Sequence, residues 1–149
     1  MRIITGQFKG RHFDIPRTFK ARPTTDFAKE NIFNVLNGYI DFDGTTALDL
    51  FAGTGSISLE LVSRGCKEVV SVEKDRDHAR FIADCMKKIN VENDILIRGD
   101  VFRFLKSCHQ KFDLIFADPP YALPELDTLP DLVFEHDLLA DDGVFVFEH

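Results

Sequence analysis

Alternating apolar runs and amphipathic stretches predict an α/β fold, a Rossmann-like, doubly wound parallel sheet of about five strands. Three observations carry the prediction. From residue 45 onward, runs of strand length alternate with stretches of helical periodicity. The strand-like runs are near-continuously apolar, as strands covered by helices on both faces are. The first of them ends in Asp49-Leu50-Phe51-Ala52-Gly53-Thr54-Gly55, a strand-to-helix turn built on glycines. Such a turn lets the backbone approach a ligand, with helix-start N–H groups free to meet an anionic end.

The elements follow in order. Residues 2–5 and 12–15 are extended candidates around Gly6-Gln7-Phe8-Lys9-Gly10, a β-hairpin with a basic, aromatic-bearing tip closed by Pro16. Residues 17–24 read as an ordered connection. Arg22-Pro23-Thr24-Thr25-Asp26 then gives a restricted pre-proline step and helix-capping residues. Ala28, Ile32, Val35, Leu36 and Tyr39 recur at helical spacing, so a helix over 26–37 is expected to lay that face on the domain. Asp41-Phe42-Asp43-Gly44 turns into a first core strand at 47–51. A helix over 56–64 presents Ile57, Leu61 and Val62 and stops at Gly65. Next come a strand at 68–73, a helix at 75–89 with Ala79, Ile82, Ala83, Met86 and Ile89 inward, and a strand at 94–98. A short helix through Val101, Phe104, Leu105 and Cys108, a strand at 112–117, a helix near 130–136 and a strand at 143–147 complete the series.

One domain of 149 residues is enough to bury a substantial core, divided into a leading hairpin and helix (1–40) and a ligand-binding core (45–149). No apolar run reaches membrane-spanning length, and the start lacks the apolar stretch of a signal peptide. Cys66, Cys85 and Cys108 are odd in number, widely spaced and without a C-x-x-C, which argues against a disulfide framework or zinc site and suits a reducing cytoplasm. The net charge of -7 is uneven: residues 1–29 hold seven Lys and Arg against two Asp. A basic leading segment on an acidic body suits an edge that meets a phosphate backbone, and it also suits a solvated face.

In doubly wound sheets ligands sit beyond the carboxyl ends of the strands, where strand order reverses. Four polar features fall there: the glycine turn, Glu73, Asp100 and Asp118-Pro119-Pro120-Tyr121. Glu73 lies 20 residues after Gly53, where a carboxylate accepts hydrogen bonds from both ribose hydroxyls, or caps the helix that follows. Asp100-Val101 offers an acceptor for an exocyclic amine and an N–H for a ring nitrogen, matching adenine, while Asp100 is also a natural helix N-cap. Asp49 is costly to bury unpaired and suits an amino-bearing ligand. No P-loop lysine follows the glycines, and Ser58 replaces the third glycine of the dinucleotide fingerprint, so S-adenosylmethionine fits better than a dinucleotide. In Asp118-Pro119-Pro120-Tyr121 the prolines remove donors and stiffen the turn, leaving the Asp118 carboxylate and Pro119 carbonyl as paired acceptors for an NH2 group. Tyr121 supplies a ring for a base to stack on.

On these residues the chain resembles the Class I S-adenosylmethionine-dependent methyltransferases, and more closely the bacterial 16S ribosomal RNA guanine-N2 methyltransferases of the RsmD type. The matching stretches are Arg2 to Gly6 with Lys9-Gly10-Arg11, Arg22-Pro23-Thr24, Asn31-Ile32-Phe33-Asn34, the Asp49 to Gly55 turn, Glu73, Asp100 and Asp118 to Tyr121. The resemblance implies that Asp49, Phe51, Ala52, Gly53, Thr54, Gly55, Glu73, Lys74, Asp100 and Val101 hold S-adenosylmethionine. It implies that Asp118, Pro119, Pro120 and Tyr121 engage a guanine amino group. Arg2, Lys9, Arg11, Arg17, Lys20 and Arg22 are the candidate contacts to 16S rRNA or the small ribosomal subunit, with no metal and no membrane involved. The class normally adds a helix and two strands beyond the fifth, so a C-terminally shortened core is expected. Two other readings fit the same motifs: adenine-N6 methylation of DNA, and a non-catalytic nucleoside- or RNA-binding module.

Overall fold

The computed structural model describes residues 1–20, 24–120 and 122–148. Ten principal elements follow one another: α1 (Asp26–Leu36), β1 (Thr46–Leu50), α2 (Ser56–Ser63), β2 (Glu68–Glu73), α3 (Arg76–Lys88), β3 (Asp94–Arg98), α4 (Val101–Ser107), β4 (Phe112–Ala117), α5 (Leu129–Glu135) and β5 (Leu139–Phe147). The five strands form one parallel sheet in the order β3-β2-β1-β4-β5. The chain winds outward from β1 to β3, then returns to place β4 on the other side of β1. The reversal between β1 and β4 is the switch point, and it fixes where a ligand sits.

Both faces of the sheet are buried. Ala47, Val69, Leu114 and Phe116 pack beneath Ile57, Leu61, Ile82 and Met86 of α2 and α3, with Phe33 and Leu36 of α1 in the same core. Leu48, Leu50, Val70, Val72 and Ile115 pack on the opposite face against Val101, Leu105, Leu129 and Val133 of α4 and α5. Strand side chains alternate between these two cores, which is why the strands read as continuous apolar runs. No helix among the described residues is long and apolar enough to cross a membrane.

The leading hairpin is a compact loop with one antiparallel bridge, Arg2 to His12. Ile3 N–H donates to the Arg11 carbonyl and Phe13 N–H to the Met1 carbonyl. Most of its anchorage comes from α2. Ile4 and Thr5 N–H groups donate to the two carboxylate oxygens of Glu60 at 2.8 and 3.0 Å. Gln7 N–H donates to the Ser63 carbonyl, and Phe8 N–H to the Ser63 hydroxyl. Gly6, at φ +96, passes so close that a Cβ would lie 2.0 Å from the Ser63 carbonyl oxygen.

α1 forms where expected but is rotated. The buried face is Lys29, Phe33 and Leu36, whereas Val35 and Tyr39, expected inward, are 63% and 73% exposed. The reason lies across the core. Glu60 is wholly buried, and a buried carboxylate needs a cation, so Lys29 takes the central position. β5 starts earlier than expected, at Leu139, but its regular pairing with β4 resumes only at Val144 after an irregular stretch in which Asp142 has φ 62.

Candidate active site

A cleft of about 1100 Å³ opens at the carboxyl ends of β1, β2 and β4. Its walls hold Asp49, Phe51, Ala52, Gly53 and Thr54 after β1, Glu73 and Lys74 after β2, Asp100 and Val101 ahead of α4, and Asp118, Pro119 and Pro120 after β4. Asp49 and Pro120, 71 positions apart in the chain, thus share one cavity because parallel strands end on the same side. Tyr121 and Arg22 lie outside the described residues.

The turn after β1 is built differently from the expectation. Phe51 sits at φ 57, an uncommon conformation for a bulky side chain, and its ring meets Phe102 edge-on at 6.3 Å. The two rings give the cleft an apolar wall. Gly53 N–H donates to Glu73 Oε1 at 2.7 Å, Ala52 N–H to the Val72 carbonyl, and Gly55 N–H to the Ala52 carbonyl. The donors expected to meet an anionic ligand are therefore largely spent inside the turn, which leaves no phosphate cradle of backbone amides at these three positions. Gly53 still has open space beside it: a Cβ there would meet only the Phe51 carbonyl, at 3.9 Å. Gly55 does not line the cleft. It caps α2 at φ 80, and a Cβ would lie 2.8 Å from Ile82 Cγ1, so its smallness serves packing of the turn on α3.

Glu73 Oε1 takes the Gly53 amide and Oε2 takes the Asp75 N–H at 2.8 Å. The carboxylate thereby fixes the glycine turn and the entry to α3, and each oxygen has a second lone pair with which to accept. Asp100 does cap its helix, accepting the Arg103 N–H at Oδ1, while Oδ2 lies 4.0 Å from Lys74 Nζ. Asp49 is 1% exposed and accepts the Ser58 hydroxyl at 2.6 Å; burial pushes its carboxyl up to about 7, against the ionised form that Ser58 favours. Partial loss of water and then the charge of Glu148 raise Asp118 above the usual carboxylate range.

His78 and Ser56 line the cleft and escaped the sequence reading. His78, 8% exposed, sits with Nδ1 at 3.9 Å from both Glu73 Oε2 and Asp75 Oδ1, and its ring packs on Phe19 at 4.5 Å. Phe19 in turn draws the segment ahead of α1 across α3 and puts Lys20 on the cleft rim. The Ser56 hydroxyl is buried in the cleft wall and has no hydrogen-bond partner among the described residues. A buried hydroxyl without a partner is costly, and a polar ligand group in the cleft would remove the cost. Ser56 follows Gly55 directly, so its place at the helix start was the available signal. Of the described candidate contacts to RNA, Lys20 alone lines the cleft. Arg2 pairs with Asp26 at 3.1 Å, Arg11 donates to the Lys88 carbonyl at 3.3 Å, and Lys9 and Arg17 stand exposed away from it.

The sheet order, the glycine turn with its acidic partner on β2, and an Asp-Pro-Pro corner after β4 together define a Class I methyltransferase core. The chain matches the protein family described as "Conserved hypothetical protein 95" over residues 1–149, and it belongs to that family. It is 37% identical to YlbH of Bacillus subtilis, over 100% of this chain and 82% of that protein. It is 30% identical to "Ribosomal RNA small subunit methyltransferase D" of Escherichia coli K12, over 99% of this chain and 74% of that protein. Among solved structures, yhhF from Escherichia coli superposes with a TM-score of 0.89 at 27% identity, covering 100% of this chain and 80% of that one.

Proposed function

We propose that this chain is an S-adenosylmethionine-dependent methyltransferase of ribosomal RNA that acts on the exocyclic N2 amino group of a guanine in 16S rRNA. The observation that carries the reading is the opposition, across one cleft, of a nucleoside-type wall (Asp49, Phe51, Gly53, Glu73, Asp100) and the Asp118-Pro119-Pro120 corner. The names of the relatives, small-subunit methyltransferases among them, support the substrate class.

The residues present fit the donor. Glu73 retains acceptors for ribose hydroxyls, Asp100 and Val101 suit the adenine edge, Phe51 and Phe102 give it an apolar wall, and Asp49 and Ser56 provide buried polar groups for an amino-acid tail. Bound S-adenosylmethionine supplies an activated sulfonium methyl, so no nucleophilic side chain is required of the protein. The work left to the chain is positioning. A guanine amino nitrogen is a poor nucleophile because its lone pair is delocalised into the ring. The Asp118 carboxylate and Pro119 carbonyl accept its two hydrogens, draw it toward tetrahedral geometry and stabilise the positive charge that develops on nitrogen. Pro119 and Pro120 keep these acceptors from collapsing onto backbone donors.

Tritiated methyl transfer to deproteinised 16S RNA, small ribosomal subunits and duplex DNA tests the reading. Incorporation into either ribosomal substrate is expected. Labelling of duplex DNA instead would establish the adenine-N6 reading, and labelling of none, with nucleoside bound, a binding module. Asp118→Ala is expected to lower turnover by about 10²–10³-fold while leaving S-adenosylhomocysteine affinity nearly unchanged by calorimetry. Equal loss of both would remove Asp118 from the chemistry.

A further inference from the structure

Beneath the cleft, four side chains form a row across the sheet. Asp49 on β1 accepts from the Ser58 hydroxyl of α2 at 2.6 Å. The Ser58 and Ser71 hydroxyl oxygens are 2.6 Å apart, and Ser71 Oγ on β2 lies 2.8 Å from Asp94 Oδ1 on β3. Asp49, Ser58 and Ser71 are all but fully buried, while Asp94 is half-buried at the β3 edge. Three contacts of hydrogen-bond length therefore join four oxygen-bearing groups, and the two serines bring only two protons. With both carboxylates ionised, each serine donates to its own carboxylate, and the 2.6 Å contact between them sets lone pair against lone pair. A third proton completes the row, and a carboxyl group is the place for it.

Among the described residues nothing cationic substitutes for that proton. Among the described residues neither Asp49 nor Asp94 forms an ion pair. The charges acting on Asp49 are acidic, Asp94 from β3 and Glu73 from β2. Around the same cleft stand Asp118 after β4, Asp100 ahead of α4, Asp75 at the cap of α3 and His78 within it, and Lys20 and Lys74 at the rim. Asp94 is governed by burial and the Ser71 hydroxyl, and burial pushes its carboxyl up to about 6, beside about 7 for Asp49.

We propose that Asp49 and Asp94 share one proton through Ser58 and Ser71, and that an ammonium group seated over Asp49 drives that proton to Asp94. The transfer balances within the row. Asp49 gives its proton to Ser58 Oγ, Ser58 passes its own to Ser71 Oγ, and Ser71 passes its own to Asp94, so three O–H bonds break and three form. No proton is lost to solvent, and the negative charge moves from the β3 edge to the cleft floor. Ser58, Ser71 and Asp94 are thereby positioning residues for the ligand's cationic tail. The ligand-driven half rests on the cofactor reading above; the shared proton does not.

The test is NMR of the full chain labelled at the aspartate side-chain carboxyl carbons, titrated from about pH 4 to about pH 9. Expected are Asp49 and Asp94 curves that move together in two steps, the pair retaining one proton well above the range where an ordinary Asp is ionised. Ser71→Ala is expected to separate them into independent single steps. Asp94→Asn, whose amide donates to Ser71 without titrating, is expected to lower the Asp49 midpoint by about one pH unit or more. Both carboxyls ionised by about pH 5, or curves unmoved by both variants, would overturn the shared proton. S-adenosylhomocysteine added near pH 7 is expected to move Asp49 to its ionised position and Asp94 to its protonated one. Binding without movement at Asp94 would overturn the ligand-driven half alone. Absence of binding, with coupled curves intact, would overturn that half together with the cofactor reading and leave the shared proton standing.

Discussion

Burial acts most strongly, at the residue scale, on the carboxylates of the sheet and its cleft. Asp49 is the extreme case. Burial pushes its carboxyl up to about 7 in the folded chain, against about 4 when unfolded. Between those values the folded chain binds more protons than the unfolded one, so stability from this group is full below about pH 4 and is lost as pH rises through about 7. Asp49→Asn removes the titration, and is expected to stabilise the chain on the order of 2–4 kcal/mol at pH 8 and little near pH 4, read from urea unfolding at the two pH values. Asp118 is shifted the same way, with Glu148 contributing. The acid limb of the turnover profile should therefore lie above the ordinary carboxylate range, and Glu148→Gln should move that limb to lower pH. A limb unchanged by the variant would remove Glu148 as a cause. Cys66 and Cys85, with thiols pushed up to about 12 by burial, are core residues.

At the scale of elements, α2 is the hub. All eight of its residues are buried, and Glu60 in its middle accepts the Ile4 and Thr5 amides, the Arg64 Nε at 2.9 Å and, at 3.5 Å, faces Lys29 of α1. Lys29 also donates to the Arg2 carbonyl at 2.6 Å, and its ammonium is disfavoured mainly by burial. One carboxylate thus ties the leading hairpin, α1 and the sheet-covering layer together. Glu60→Gln leaves Lys29 buried without its counter-charge, and is expected to cost about 3 kcal/mol or more in urea unfolding. Protease cleavage should then begin within residues 1–20, because the hairpin loses its anchors first. A loss under about 0.5 kcal/mol would show that Glu60 is no anchor.

Over the whole molecule, charge is segregated: a leading segment rich in Lys and Arg is folded against an otherwise acidic body. Phe19 packs on His78 and Phe81, and so brings the end of that segment to the rim of the cleft. If RNA approaches along this edge, its affinity depends on salt through released counterions. The combined change Lys9→Gln, Arg17→Gln and Lys20→Gln is expected to reduce the slope of log affinity against log salt by about 2 for a single-stranded RNA, measured by fluorescence anisotropy. S-adenosylhomocysteine affinity should stay within about 2-fold, since of these only Lys20 touches the cleft. An unchanged slope would place the RNA path elsewhere.

What the sequence determined by itself was periodic or local. Strand bounds at 68–73, 94–98 and 112–117 were legible because apolar runs end where turn residues begin, and the four polar strand ends could be assigned to one rim because parallel strands share a polarity. The rotation of α1 was not legible, since Lys29 is in the core only because Glu60, 31 positions away, is buried beside it. The spent amides of the glycine turn, the cleft positions of His78 and Ser56, and the row from Asp49 to Asp94 were likewise decided by tertiary structure. Each depends on which polar groups meet after water is excluded, and pairing of that kind leaves no periodic trace in the chain.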